Sequence, residues 1–534
     1  DRLIGMMADR ALSQDRTALL AEDGIRVAIC GSGSPMPDFN RAPACNLVFA
    51  GGEVFVIDVG AGSWQRAGSW QMPAGKVTTV LLTHFHSDHI GDLGEVNLQS
   101  WVGGRPKPLA VYGGPGLVEF AECGSGPIRG VTQFNETAFA VSGDKLYSVD
   151  SDGDETEIGP IAGYDPVDFS DNGEQLTIVS DSTSYVYTEA TGVLTPINDP
   201  QFRRATSTAF LKQTTIFTVY DTSTFITSAL SDSTDFDALD VATAEAKPDK
   251  LKRVIVSGNE ALMMGARSVE GYYFSGKPNG VPLSPTQTYL EYGLAGRDAC
   301  WIADNSVHWL SHILDVRSLR EGAAVIADPA ITALIQSWTD PGSARGFSFQ
   351  FGGHEFGGLR HAQGCVIYDH STRLWHTRKS FGMDTWRVAS SVWCYNKNIM
   401  GDATNGKLWT LSPDVYAEGS DPLVRQLATA TLGPGGLPFT LDKVELEVGV
   451  GVGLATGQGS DPKIWMQLSR DGGHTWGARL DRSMGLMGKR LTRVIWQGPF
   501  GDFLPHGGVI RFGVSDPVQL VATKIWAEFT PNRA

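Results

Sequence analysis

The sequence is poor in several features that would define its class at once. Its 534 residues include six cysteines, at positions 30, 45, 123, 300, 365 and 394, without a Cys-x-x-Cys pair, so reduced thiols are expected. No apolar run reaches the roughly 18 residues of a membrane-spanning helix. Lys and Arg number 43 against 59 Asp and Glu, and the net charge of −16 argues against strong direct binding to DNA. The composition fits a soluble subunit that contacts other proteins.

Histidine is spread unevenly along the chain. None occurs between residues 123 and 300, yet LLTHFHSDHIGDLGE at 81–95 is dense in possible metal ligands. These ligands are His84, His86, Asp88 and His89. The apolar, β-branched VTTVLLT before them predicts a strand, and helical spacing follows, so the ligands lie on a strand-to-helix loop. Histidine and carboxylate suit zinc, and an Asp can also deprotonate a metal-bound water. A polar loop with histidines by chance is the alternative.

Three stretches carry a resemblance to a known family. RVAICGSGSPMPDFNRAPACNLV, VFVIDVGAG and LLTHFHSDHIGDL resemble, in order and spacing, the opening half of the metallo-β-lactamase superfamily, especially its ribonuclease Z-like and arylsulfatase-like branch. The resemblance covers about residues 20–118. It implies that His84 and His86 hold one zinc ion and that Asp88 and His89 hold a second. It also implies that Asp58 supports the metal loop, and that Asp88 is catalytic if the chain is an enzyme.

The second half of that site is missing from the sequence. The family completes it with a later His, a bridging Asp and a final His, whereas the next histidines here are His308 and His312. A catalytic zinc takes three protein ligands and an open position, and the first metal would have only two. We therefore expect an incomplete αββα half over residues 1–120, with negligible hydrolase activity.

Beyond about residue 120 the chain changes to short β segments between turn residues. An apolar strand, a turn and an aromatic-bearing strand recur about every 35 to 50 residues, which predicts a β-propeller over residues 121–434. Stacked β-sandwiches are the alternative. The strands of residues 435–534 predict a C-terminal sandwich or jelly roll. The predicted fold class is mainly β, with an N-terminal α/β metallo-β-lactamase-like half.

One turn in the C-terminal part has a recognisable pattern. SRDGGHTW fits the Asp-box S-x-D-x-G-x-T-W through Ser469, Asp471, Gly473, Thr475 and Trp476. We expect Asp471 to accept hydrogen bonds from the turn backbone, Gly473 to take a positive φ, and Trp476 to pack behind the turn. A single Asp-box is interpreted as structural.

Three further polar clusters carry weaker signals. FGGHEFGGLRHAQG, with His354, Glu355 and His361, lacks the HExxH spacing and is glycine-rich, which predicts a loop. YDHSTRLWH predicts a hairpin with polar turn residues. DSDGDETE at 150–157 lacks the glutamate at the twelfth position of a calcium loop, so a solvated turn is expected.

The β-rich remainder resembles a second family. The segments IRGVTQFNETAFAVSGDKLYSVD, SVEGYYFSGKP, DACWIADNSVHWLS, IADPAITALIQSWT, CVIYDHSTRLWHTR, GDATNGKLWTL and KIWMQLSRDGGHTWG resemble, in this order, the packaged DNA stabilisation proteins of short-tailed phages. The resemblance covers about residues 123–534. It implies a tail hub of the virion, usually a hexamer, that is assembled in the host cytoplasm. Such a hub plugs the portal, contacts the portal adaptor ring and other tail proteins, and has no enzyme activity.

Two hypotheses therefore remain open. One is a structural hub preceded by an appended or mis-joined fragment. The other is a zinc-dependent hydrolase with an accessory β-rich domain, with zinc as the only cofactor implied. The bulk of the chain and the missing ligands favour the hub.

Overall fold

The computed structural model describes residues 26–32, 45–50, 53–59, 63–70, 72, 76–81, 115–244, 247, 249–277, 279–429, 432, 438–504 and 508–532. They fall into two compact units. One comprises Pro115–His370 and Leu374–Leu423; the other comprises the described parts of Asp1–Gly114, Ser371–Arg373 and Val424–Ala534. Over this described part, no helix is both long and apolar enough to span a membrane.

The N-terminal part forms a small mixed sheet with one helix. Its elements are β1 Arg26–Gly31, β2 Cys45–Ala50, β3 Glu53–Val59, α1 Ser63–Ser69 and β4 Val77–Leu81. β1, β2 and β3 pair antiparallel, and β4 pairs parallel to β3 after the α1 crossover. Leu47, Val56 and Trp64 are buried in its core. The described residues do not show an α/β metallo-β-lactamase half.

Two cysteines of this sheet correct the expectation of six reduced thiols. Cys30 and Cys45 form a disulfide, with their Cα atoms 5.0 Å apart. The antiparallel pairing of β1 with β2 brings together two residues that are 15 positions apart in sequence, which the sequence spacing did not indicate. Cys123, Cys300 and Cys365 are free and buried, as is Cys394.

The chain from Gly116 to Pro422 builds seven sheets among the described residues, six of four strands and one of six. The first strand of the series is β5 Gly116–Glu122. Six sheets follow in chain order: β6 Ile128–Phe134, β7 Thr137–Ser142, β8 Lys145–Val149 and β9 Glu155–Pro160; β10 Asp168–Asp171, β11 Gln175–Val179, β12 Ser184–Thr188 and β13 Val193–Pro196; β14 Ala205–Leu211, β15 Thr214–Val219, β16 Thr224–Thr227 and β17 Val241–Thr243; β18 Leu251–Ser257, β19 Glu260–Gly265, β20 Val269–Phe274 and β21 Leu283–Leu290; β22 Cys300–Ala303, β23 Ser306–Leu310, β24 Val316–Ser318 and β25 Ala324–Val325; β26 Arg345–Phe351, β27 His354–His361, β28 Gly364–Asp369 and β29 Leu374–Thr377.

The seventh sheet closes the ring. It contains β30 Val388–Cys394, β31 Lys397–Asp402 and β32 Lys407–Ser412. Its fourth strand is β5, which pairs antiparallel with β32, so the start of this segment completes the last sheet. The short strands β33 Ala417–Glu418 and β34 Asp421–Pro422 extend the same sheet. β5 begins before the boundary predicted at residue 120.

Neighbouring sheets pack through their first strands. β6 contacts both β10 and β30, β14 contacts β10 and β18, and β26 contacts β22 and β30. Consecutive antiparallel sheets whose first strands meet around an axis have the arrangement of a propeller with seven blades. Central strands such as β15, TTIFTV, are buried along their whole length because sheets cover both faces. Outside the strands lie α2 Pro329–Gln336 and the 3-10 turns Leu319–Glu321 and Pro341–Ser343.

The predicted loop around His354, Glu355 and His361 is wrong. These residues lie on β27, which pairs with β26 and β28 along its length. A Cβ atom on Gly357 would lie 1.9 Å from the Trp301 ring, and one on Gly358 would lie 2.2 Å from a backbone carbonyl. The glycines therefore allow close packing of neighbouring strands rather than a turn.

The C-terminal part is a sandwich of two sheets, as predicted. Its strands are β35 Arg425–Ala428, β36 Phe439–Val448, β37 Lys463–Ser469, β38 Leu480–Ser483, β39 Val494–Gln497, β40 Asp502–Phe503, β41 Val509–Val514 and β42 Ala522–Pro531. One sheet has the order β35-β41-β37-β38; the other has β39-β36-β40, with β42 also paired to β36. Phe439, Met466, Trp496 and Phe512 fill the core between them.

Candidate functional site

The residues predicted to bind metal lie outside the described part of the chain. They are His84, His86, Asp88 and His89, which follow the end of β4 at Leu81. The backbone of Asp58 lies in β3, but its side chain is also outside the described set. Within the described ranges, no group of three or more His, Cys, Asp or Glu side chains could hold a metal ion. The zinc site therefore stays a prediction.

The Asp-box forms a hydrogen-bonded turn after β37. The Asp471 carboxylate accepts hydrogen bonds from the Thr475 backbone N–H, at 2.8 Å, and from the Thr475 hydroxyl, at 2.6 Å. Ser469 Oγ accepts from the Gly473 N–H at 2.8 Å, and Gly473 has a φ of 98°. The bond from the Thr475 hydroxyl is the first cause of a strongly lowered Asp471 pKa. Trp476 packs against the Arg511 guanidinium, 4.0 Å from the ring centre. These hydrogen bonds of the Ser469, Asp471 and Thr475 side chains therefore stay within the turn.

The propeller axis holds a cavity of about 570 Å³. It is lined by the first strands of all seven blades, β6, β10, β14, β18, β22, β26 and β30, or by residues just before them. The lining combines hydroxyl groups, aromatic rings and charged side chains. All seven blades thus contribute to a single space at the axis, and we take it as the candidate functional site.

A network of arginines and carboxylates occupies one end of this cavity. Arg253 Nη2 lies 2.5 Å from Asp168 Oδ1, and Arg253 Nη1 lies 3.0 Å from Asp298 Oδ1. Arg297 also binds Asp298, through Nη2 at 2.8 Å. Asp168 accepts a further hydrogen bond from Ser207 Oγ at 2.7 Å. Burial opposes ionisation of Asp298, but the guanidinium groups of Arg297 and Arg253 outweigh it and lower its pKa.

These side chains connect blades that are not neighbours in the ring. Arg253 on the fourth blade reaches Asp168 on the second. Arg297, just before the fifth blade, donates from Nη2 to the carbonyl of Pro166, just before the second, at 2.6 Å. Arg345 on the sixth blade donates from Nη2 to the carbonyl of Arg129 on the first, at 2.7 Å. Links between non-adjacent blades must cross the axis, so they close the channel at the end where the first strands begin.

A second buried cluster lies between the fifth and sixth blades. The His308 ring stacks on Trp301 and makes an edge contact with His370, with ring centres 5.3 and 4.5 Å apart. Burial, together with a smaller effect of the nearby His370, lowers the pKa of His308 to about 3. Burial also lowers the pKa of His370 to about 4, against the opposing charges of Asp304 and Asp369. Both rings are therefore neutral at physiological pH. The sequence analysis identified His370 only as part of a polar hairpin.

The axial network was missed by the sequence analysis. A usable signal existed: charged residues interrupt the apolar pattern where first strands begin, as with Asp168 in DFSD, Arg253 in LKRVIVS and Arg345 in RGFSFQF. A charge at the same place in successive repeats indicates a shared environment. That inference requires the repeats to be aligned on their first strands, and the irregular spacing concealed this register.

Comparisons with known proteins find two family models and a set of relatives that match a shorter stretch. The model of a family described as Bacteriophage P22 Gp10, beta-propeller, matches residues 110–416, and the model described as Bacteriophage P22 Gp10, beta-sandwich, matches residues 424–524. The chain is also 49% identical over 98 residues to a ribonuclease Z of Mycobacterium avium, covering 18% of this chain and 35% of that protein. A ribonuclease Z of Mycobacterium bovis is 44% identical over 101 residues, covering 18% and 36%. The chain thus spans about a third of the length of these relatives. Both predicted resemblances are confirmed.

Solved structures show only distant likeness. The computationally designed Ika8 protein has a TM-score of 0.35 and 11% identity, covering 55% of this chain and 99% of that one. YCF48 bound to D1 peptide has a TM-score of 0.36 and 10% identity, covering 57% and 96%.

Proposed function

We propose, from the premise that the chain belongs to the bacteriophage P22 Gp10 family, that it is the tail hub which plugs the portal and stabilises the packaged DNA. The propeller match alone spans more than half of the chain. The two matches support a structural protein of the phage tail, located in the virion. The proposal also includes the plugging role, assembly in the host cytoplasm, and the division of the chain into residues 1–120, 121–434 and 435–534.

The propeller's own axis supports a closing role. Cross-axis links such as Arg253–Asp168 and Arg345–Arg129 fill one end of its channel. The closing of the ring by β5 makes the propeller a single rigid block on which partners can assemble. A net charge of −16 gives the surface little attraction for phosphate, so the proposed hub acts through protein contacts.

The partners in this proposal are the portal adaptor ring and other tail proteins, bound by a homo-oligomer that is hexameric by resemblance. Full-length protein would be examined by native mass spectrometry and then added to portal–adaptor complexes from which the DNA-retaining tail has been lost. We expect the protein to form a ring on the adaptor. Once the complexes are refilled with DNA, we expect the protein to retain that DNA. A chain that stays monomeric and never binds these complexes would contradict the hub.

A zinc-dependent hydrolase is the second candidate, favoured by the 49% identity to ribonuclease Z over 98 residues. His84 and His86 would hold one zinc and Asp88 and His89 the other, with Asp58 supporting the loop. Their imidazole and carboxylate groups suit zinc, which would polarise a bound water. Zinc-dependent turnover of phosphodiester or ester substrates that disappears in Asp88→Ala would establish this candidate. We expect no such turnover, because the later ligand set is missing.

A further inference from the structure

The closed end of the axial cavity brings charged side chains of several blades together. Three guanidinium groups, those of Arg253, Arg297 and Arg345, meet there with the two carboxylates of Asp168 and Asp298. Arg253 and Arg297 share both carboxylates between them. The count leaves one cation without a carboxylate of its own.

That cation is Arg345. Its one hydrogen bond within the described chain runs from Nη2 to the Arg129 carbonyl, and no described carboxylate pairs with it. The Arg297, Arg253 and Arg360 guanidinium groups repel its charge, while Asp298 attracts it. Burial lowers the pKa of Arg345 to about 10, so it is still a cation at physiological pH. Arg345 is half-buried, and a partly desolvated guanidinium that lacks a counter-charge favours an anion from outside the chain.

The cavity has a place for such an anion. Arg345 is among its lining residues, and a volume of about 570 Å³ can hold a small ion together with water. The carboxylate of Asp171 also lines the cavity, at the last position of β10, three residues along the strand from Asp168. Three residues of a strand span about 10 Å, so Asp171 lies away from the arginine cluster. The arginines of the cavity therefore lie together at its closed side.

We propose that the closed end of the propeller's axial cavity is a binding site for a small oxyanion, a phosphate or a carboxylate, held by Arg345. The planar guanidinium offers parallel N–H donors that match two oxygens of such a group. The anion would pair with Arg345 and complete the network that closes the axis. This site is independent of the proposed role in the tail.

The first experiment uses full-length protein and inorganic phosphate. Binding is measured by isothermal titration calorimetry, and melting by calorimetry, in buffers whose ionic strength is matched with sodium chloride. We expect saturable binding and a higher melting temperature for the propeller transition, because a ligand that binds only the folded state stabilises it. An equal effect of chloride alone would overturn the site, since it would report screening.

Two variants locate the site. Arg345→Gln removes the charge and should weaken phosphate binding by about tenfold or more, the loss expected for a charge-assisted contact. Arg267→Gln, an exposed arginine of the same propeller, is the matched control and should bind as the parent does. Thr132→Trp places an indole in the open part of the cavity, three residues along β6 from Arg129; it should obstruct the way to the closed end and so block binding while leaving every arginine in place.

Acetate then distinguishes the two sources of the oxyanion. Competition by acetate against phosphate would identify a site that also accepts carboxylates, such as a side chain of another protein. Lack of competition would identify a phosphate site. Should Arg345→Gln fail to fold, the Thr132→Trp result decides: unchanged phosphate binding in that variant would overturn the proposal.

Discussion

At the residue scale, the most consequential contacts are the ion pairs that cross the propeller axis. Asp168 is 4% exposed and accepts bonds from Arg253 and from the Ser207 hydroxyl. Asp168→Asn would leave the Arg253 charge short of a partner in a buried setting. We expect the propeller to lose about 3 kcal/mol of its free energy of unfolding, measured by urea denaturation.

The control for this substitution lies on the same strand. Asp171 also lines the cavity, but it forms no ion pair within the described chain, and burial raises its pKa. Asp171→Asn should change the free energy of unfolding by no more than about 0.5 kcal/mol. Equal losses for the two variants would show that the cross-axis pairing does not stabilise the propeller.

The buried imidazoles predict sensitivity to acid. The folded-state pKa values of about 3 for His308 and about 4 for His370 lie below the ordinary value, near 6.5, of an unfolded histidine. Below pH 6.5 the unfolded chain therefore binds more protons, and stability falls as the pH falls towards these values. Each histidine contributes a slope of up to about 1.4 kcal/mol per pH unit over its window.

His308→Phe tests this sensitivity. His308 is 3% exposed and stacked on Trp301, so phenylalanine keeps the ring contact while removing one titrating group. Unfolding followed between pH 7 and pH 4.5 should show a smaller loss of stability than in the parent protein. His474→Phe, in the exposed Asp-box turn, serves as the control and should leave the slope unchanged. Identical slopes in parent and His308→Phe would refute the assignment.

Residue-scale prediction from sequence works where partners are local. The hydrogen bonds of the Asp-box join residues two to four positions apart, so the local sequence is enough to predict the geometry of the turn. Arg253 and Asp168 are 85 positions apart, and they meet only because the ring brings the second and fourth blades to one axis. The contact of His308 with His370 was hidden because the two residues lie on different blades, far apart in sequence.

At the scale of elements, ring closure depends on β5. Leu117 is fully buried against the core of the sixth and seventh blades, whereas Val118, next to it, is 37% exposed. Leu117→Ala should lower the free energy of unfolding of the whole propeller by about 3 kcal/mol, and Val118→Ala should have little effect. Both are measured as shifts in the propeller's melting temperature. Similar shifts for the two variants would show that β5 does not close the ring.

The N-terminal sheet makes a prediction about thiols. Cys30 and Cys45 are bonded, and Cys123, Cys300, Cys365 and Cys394 are free. Denatured protein kept without reductant should therefore react with four equivalents of a thiol reagent, and reduced protein with six. Six equivalents without reductant would restore the expectation of reduced thiols. Burial raises the pKa of Cys123, Cys300 and Cys365 to about 12, so these thiols should react only after unfolding.

The sequence predicts the types of the secondary-structure elements better than it predicts which elements contact each other. The recurring apolar strands and polar turns indicated a propeller because each hairpin is local in sequence. Glycine misled the prediction at β27, where Gly357 and Gly358 make room for Trp301 and a neighbouring strand. The pairing of β5 with β32 joins strands nearly 300 residues apart, which no local pattern reveals.

At the scale of the whole molecule, net charge distinguishes two ways of closing a DNA channel: through contacts with DNA phosphates or through contacts with other proteins. A hub that held DNA through phosphate contacts would lose about 10³ to 10⁵ in affinity between 50 and 200 mM salt, if it made six to ten such contacts. This chain has a net charge of −16 and closes its own propeller axis with internal pairs such as Arg253–Asp168. Exposed aromatic side chains such as Trp393, Phe381 and Phe529 are available for protein contacts, which salt weakens less than phosphate contacts.

We therefore expect assembly on the portal adaptor to survive this change in salt. Full-length protein would be added to portal–adaptor complexes at 50 and 200 mM sodium chloride, and the bound fraction measured by sedimentation, with free duplex DNA as a parallel ligand. The adaptor affinity should change by less than about tenfold, and DNA binding should be weak at both salt concentrations. The opposite result is tight, steeply salt-dependent binding to DNA without binding to the adaptor. It would mean that the protein contacts the DNA in the channel rather than the adaptor. The hub would then be the wrong conclusion, because an acidic plug can hold its position only through the proteins around it.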